Sequence, residues 1–232
     1  MRLVSFRTGN RDAFGVVAQN GVVDLSARLG VKSLKDLIAA GRISEAARFR
    51  SEQPDYPLGE IEFLPVIPDP AHVWCLAINY NEHIEEIRTH GIQRETPKKP
   101  ALFMRYPDTM VGHKQPLLKP KVSDDFDYEG ELAVIIGKGG RHIDEARALD
   151  HVAGYSIFQD ASVRDWQFHT RQIAPGKNFR ASAALGPWLV TPEEISDPHN
   201  LRVQTRVNGS ILQDGNSKDM IHRIPAFISY AS

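Results

Sequence analysis

The chain has 232 residues, with 28 Lys or Arg against 29 Asp or Glu and a formal net charge of −1. That balance lacks the basic footprint of a nucleic-acid or anionic-membrane binder, and an apolar content of 41% is ordinary for a globular protein able to bury a good core. Its one cysteine, Cys75, precludes an intrachain disulfide; the start Met1-Arg2-Leu3-Val4-Ser5-Phe6-Arg7 is too short and charged for a signal peptide, no transmembrane run occurs, and the expected setting is the cytoplasm.

Residues 1–65 read as a small mixed α/β unit. Leu3 to Phe6 and Phe14 to Ala18 are expected strands, and Asn20-Gly21 signals a hairpin into Val22-Val23-Asp24-Leu25. Ser33 to Gly41 reads as a short helix with a Ser cap and a Gly stop. Pro54, Pro57, Pro65, Pro68 and Pro70 mark a stiff connection into a mainly β unit over 66–232. There Val73 to Ile78 is an apolar strand that places Cys75 in packing, and Asn81 to His90 a short helix closed by Gly91. Residues 132–137 and Gly154 to Phe158 are further strands, Thr191-Pro192-Glu193-Glu194 is a capping box, and Asn208-Gly209 centres a hairpin. Ile224 to Ser232 begins an apolar-faced helix that needs a covering surface, on this chain or a partner. It stops with neither cap nor polar tail, so a shortened end is expected.

The chemistry concentrates in Asp127-Tyr128-Glu129-Gly130-Glu131-Leu132. In a strand the three acids would share one face, where they need water, protons or a cation. With Asp160, Glu129 and Glu131 would make an all-oxygen site suited to Mg²⁺, Mn²⁺ or Ca²⁺; Glu-x-Glu alone is better explained by a solvated strand end with ordinary surface acids. His83 and Glu86, three apart, would share a helical face as an oriented base, or form an ordinary exposed pair. If the turn after Asp160 is helical, Asp160, Arg164 and Gln167 share a face, and Arg164 could clamp a carboxylate or simply pair with Asp160. Lys177 follows Gly176, which permits close backbone approach, and could neutralise an enolate or be a solvated loop lysine.

Taken in order, these pieces resemble the fumarylacetoacetate hydrolase family. The resemblance rests on Asn79-Tyr80-x-x-His83, Pro100 to Arg105, Asp127 to Leu132, Asp160-x-Ser162-x-Arg164-Asp165-x-Gln167, Gly176-Lys177-Asn178-Phe179 and Gly186-Pro187-Trp188. It implies an α+β, mainly β fold: a β-roll catalytic domain behind the small N-terminal domain, in a homodimer. It also implies Glu129, Glu131 and Asp160 as metal ligands, with Mg²⁺ the expected ion. A His83–Glu86 dyad would activate water, Lys177 would face the substrate oxyanion, and Arg164 and Gln167 would line the pocket. The implied reaction is hydrolytic C–C cleavage of an acylpyruvate-type 1,3-diketo acid through a metal-held enolate. Isomerisation or decarboxylation of 2-oxo or 2-hydroxymuconate-type diacids in aromatic catabolism is the alternative, and an inactive metal-stabilised dimer the reading of another class. Departures from the pattern are Ala77-Ile78 for a Gly-containing pair, Arg105 for Lys, Gln159 for Asn, Asn178 for Ser, and the absence of the Thr-Gly-Thr-Pro-like loop that usually follows.

Overall fold

A computed structural model describes residues 1–82, 84 and 95–232. Strands Arg2–Thr8, Arg11–Ala18 and Gly21–Asp24 form an antiparallel meander. Alternation sends Leu3, Phe14 and Val16 to one face and Val4, Phe6 and Ala13 to the other; all six are buried, because apolar clusters cover both faces. The first turn of this meander that the sequence marked lies one residue earlier than expected. Gln19 and Asn20 turn, Gln19 adopts φ 49°, and Gly21 is already paired with Ala18 and Pro57.

The meander does not stand apart. Strand Arg2–Thr8 pairs antiparallel with Leu189–Val190, which pairs in turn with Val152–Gln159. Around that long strand lie Gly130–Ile136 and Ala183–Leu185, both antiparallel to it, and the sheet ends at Met110–Val111, parallel to Ala183–Leu185. The result is one curled ten-stranded sheet. Three two-stranded ribbons complete the β structure of the described residues: Val73–Leu76 with Leu102–Arg105, Phe126–Asp127 with Ser162–Val163, and Arg202–Val207 with Ser210–Asn216.

Helices are short. Leu34–Ala39 starts at Ser33, whose hydroxyl accepts from Asp36 N–H, and ends before Gly41 at φ 67°. The expected capping box at Thr191 does not form: residues 192–194 make a single 3₁₀ turn without a side-chain cap, and the Thr191 hydroxyl instead accepts from the Met1 amine. The helix Ile224–Ala231 covers its apolar face on this chain, with Ile224 and Ile228 against Ala148, Val152 and Tyr155. Its end is tied by Ser232 Oγ, which accepts from Ile143 N–H at 2.9 Å. No helix among the described residues is long and apolar enough to cross a membrane.

Candidate functional site

The acidic segment does not run as one strand. Phe126–Asp127 pairs with Ser162–Val163, whereas Gly130–Ile136 pairs with Val152–Gln159, so Tyr128 and Glu129 cross from one partner to the next. Asp127, Glu129 and Glu131 therefore gain different neighbours rather than one common face. The crossing brings Glu129 beside Asp160, whose N–H donates to the Glu129 carbonyl at 2.8 Å. Gln159, which closes strand Val152–Gln159, accepts from Glu129 N–H at 2.5 Å.

Lys177 sits at the centre. It ends the helical turn Ala174–Lys177, and its side chain is buried. Nζ donates to Glu129 Oε2 and to Asp160 Oδ2, both at 2.6 Å, and to the Asp160 carbonyl at 3.1 Å, while the Phe103 ring lies 5.1 Å away. All three ammonium protons are engaged. Close packing places the lysine there: a Cβ on Gly176 would stand 2.7 Å from both Gln167 N and Val163 O, so only glycine lets the two segments meet.

Arg164 stands over the outer side of the same acids. Nε and Nη2 donate to Asp127 Oδ2 at 2.9 and 2.7 Å, and Nη1 to Glu129 Oε1 at 2.6 Å and Gln167 Oε1 at 3.0 Å. Asp160 is left to Arg105, not Arg164. The Arg105 guanidinium is fully buried, donating to Asp160 Oδ1 at 2.5 Å, the Ala161 carbonyl at 3.1 Å and Ser182 Oγ at 2.7 Å. Asn178 latches the lysine turn to the Arg105 strand, accepting from Tyr106 N–H and donating to the Met104 carbonyl.

Four carboxylates, those of Asp127, Glu129, Glu131 and Asp160, thus face three cations. Burial pushes Glu129 up, but the Lys177 ammonium and the Arg164 guanidinium outweigh it and hold the acid below the usual carboxylate range. Glu131 is the opposite case. Burial first, then the charges of Glu129 and Asp160, push it up to about 8, and Lys177 offsets only part of this. No cation among the described residues pairs with it. Burial also raises Cys75 and Tyr80, so neither adds negative charge at neutral pH, and Cys75 stays a thiol.

A buried Glu131 with no cation partner among the described residues, beside the all-oxygen donors Glu129 and Asp160, is driven toward its protonated form without a metal and fits a hard divalent cation that would take the proton's place. The acids are not drawn into a finished cage, however. Lys177 lies between Glu129 and Asp160, and among the described residues no three Asp, Glu, His or Cys side chains converge as a ligand set. His83 and Glu86 lie outside the described residues. The residue that the sequence reading missed is Arg105, noted only as a replacement for lysine. Its signal was a guanidinium at the end of the apolar strand Leu102–Arg105, a position that demands a buried anion. A cleft of about 630 Å³ elsewhere, lined by Asp108, Met110, Leu118 and Arg180, holds none of these residues.

A family model described as fumarylacetoacetate (FAA) hydrolase C-terminal matches residues 72–232. The oxaloacetate tautomerase FAHD2A of Homo sapiens is 35% identical over 243 aligned positions, covering 100% of this chain and 76% of the relative. A fumarylacetoacetate hydrolase from Exiguobacterium antarcticum superposes with a TM-score of 0.80 at 31% identity, over 100% of this chain and 81% of its own. Maleylpyruvate hydrolase from Sphingobium sp. SYK-6, solved with a manganese(II) ion and pyruvate, also gives 0.80, at 26% identity over 100% of this chain and 83% of its own.

Proposed function

The chain belongs to the fumarylacetoacetate hydrolase family, whose enzymes act on oxo acids, and on that premise we propose that it interconverts the keto and enol forms of a small 2-oxo diacid of the oxaloacetate class. The observation that carries this is Lys177 Nζ held 2.6 Å from both Glu129 and Asp160, with the unmatched Glu131 carboxyl close enough to feel both acids. Glu129, Glu131 and Asp160 are the residues that would hold a divalent ion, Mg²⁺ by preference among hard cations, with Mn²⁺ and Ca²⁺ suited to the same donors. When bound, that ion supplies Lewis-acid polarisation of the substrate carbonyl.

The remaining work falls to side chains. A substrate oxygen enters by replacing one acceptor of Lys177, and the ammonium then donates to the charge that develops there; one such donor is worth about 3 kcal/mol. Arg164 and Gln167, on the adjacent wall, orient the distal carboxylate. Enolisation moves a proton at the carbon beside the carbonyl, and in this proposal His83 with Glu86 would act as the base.

Hydrolytic C–C cleavage of an acylpyruvate-type 1,3-diketo acid is the second reading. It is favoured by the likeness to maleylpyruvate hydrolase with manganese and pyruvate, and it needs His83 to take its proton from water. Isomerisation or decarboxylation of hydroxymuconate-type diacids draws on the same enolate. Incubation with Mg²⁺ and oxaloacetate, an acylpyruvate or a hydroxymuconate-type diacid, followed by NMR of the products, separates these. Accelerated enol–keto exchange of oxaloacetate without new products supports the proposal, and cleavage of the acylpyruvate alone replaces it with the second reading. Turnover of none of the three contradicts both.

A further inference from the structure

The edge of strand Gly130–Ile136 carries an unusual closure. Gly130 stands between Glu129 and Glu131, and its peptide groups face away from the paired strand toward the hairpin Arg202–Val207 and Ser210–Asn216. There the Gln213 amide makes both bonds that a neighbouring strand would make: Gly130 N–H donates to Oε1 and Nε2 donates to the Gly130 carbonyl, each at 2.8 Å. Thr205 Oγ1 donates to the same Oε1 at 2.7 Å, fixing the amide's orientation, and Tyr128 O–H reaches the Leu212 carbonyl at 3.2 Å. The fit has no slack, because a Cβ on Gly130 would stand 2.4 Å from Thr205 Oγ1 and 2.9 Å from Gln213 Oε1. On the other flank Gln159 holds Glu129 N–H. Two glutamine amides therefore pin the backbone from which Glu129 and Glu131 project.

We propose that Gln213, oriented by Thr205, is a positioning residue that sets the Glu129–Glu131 pair for divalent-cation binding. This rests on the reading of those two acids as metal ligands. Backbone bonds of a ligand's own strand do for a carboxylate what a hydrogen-bonded outer partner does for a ligating histidine: they remove the freedom that binding would otherwise have to freeze. A purely structural Gln213 would affect hairpin stability and leave affinity for the ion alone.

The test is Mn²⁺ titration of the full chain, followed by the EPR signal of free ion, with thermal unfolding in parallel. Gln213→Met keeps length and removes both bonds; the expected result is a folded protein whose Mn²⁺ dissociation constant rises about tenfold, as for other outer partners of metal ligands. Thr205→Val keeps the amide and frees its rotation, with a smaller rise expected, and it decides the matter if Gln213→Met does not fold. Glu129→Gln and Glu131→Gln serve as controls. If both controls lose Mn²⁺ while the folded hairpin variants bind as the parent does, the positioning role is wrong and the ligand assignment stands. If the controls bind as tightly as the parent, the ligand assignment fails and the positioning role with it.

Discussion

Arg105 and Asp160 meet in a fully buried pair, and the arginine contributes to the site chiefly by making a buried aspartate tolerable. Removing one partner of such a pair costs roughly 3–5 kcal/mol, with the low end expected here because Lys177 remains on Asp160. Arg105→Ala is therefore expected to lower unfolding free energy by about 3 kcal/mol in urea titration; a loss under about 1 kcal/mol would place the guanidinium outside the pair. Glu131 makes a second prediction. Its ordinary value is 4.5 and its folded value is raised to about 8, so between these the folded chain binds a proton that the unfolded chain has released. Stability of the metal-free protein should fall as pH rises through that window and level off above it. Thermal unfolding with a chelator should show the slope, and Glu131→Gln or added Mg²⁺ should flatten it. An identical slope in Glu131→Gln would assign it to another group.

At the scale of elements, the site is made by segments that cross or end rather than by regular strands. The acidic segment changes partners at Tyr128-Glu129, strand Val152–Gln159 ends one residue before Asp160, and a single turn delivers Lys177. Gly176→Ala should force that turn off Val163 and Gln167, at about 1–3 kcal/mol for overpacking against backbone atoms that cannot rotate away. Chemical denaturation measures the loss, and activity should fall further than stability because Lys177 moves with the turn. Much of this was legible in sequence: Asp160 after an apolar strand, glycine before Lys177, and Asn208-Gly209 at φ 50° and 85° are local signals. What was not legible depends on pairing between distant segments. Alternation along Asp127, Glu129 and Glu131 promised one face, and only the switch from Ser162 to Gln159 as partner breaks it. Arg164 taking Asp127 and Glu129, and Arg105 taking Asp160, likewise follow from tertiary placement rather than from spacing.

Over the whole molecule, the apolar interior joins the first residues to the strands that carry the site. Leu3, Phe14 and Val16 share one buried cluster with Phe158, Leu185 and Leu189, and Phe158 also lies under the Arg105 guanidinium. Leu189→Ala, inside that apolar cluster, is expected to cost about 2–5 kcal/mol and to unfold the chain in one cooperative step seen equally by circular dichroism and tryptophan fluorescence; separate transitions would show that residues 1–65 stabilise themselves. The family's mainly β architecture was readable from strand signals and turn dipeptides, while the continuity of the sheet through Leu3 and Leu189 needs two segments far apart in the sequence in one place. The decay of the enol form of oxaloacetate in ultraviolet absorbance, with the parent chain and with Lys177→Met, each with Mg²⁺ and with chelator, decides the keto–enol proposal. Under that proposal the parent with Mg²⁺ accelerates the decay, chelator abolishes the acceleration, and Lys177→Met loses on the order of a hundredfold. Decay at the uncatalysed rate with the folded, Mg²⁺-loaded parent would contradict it.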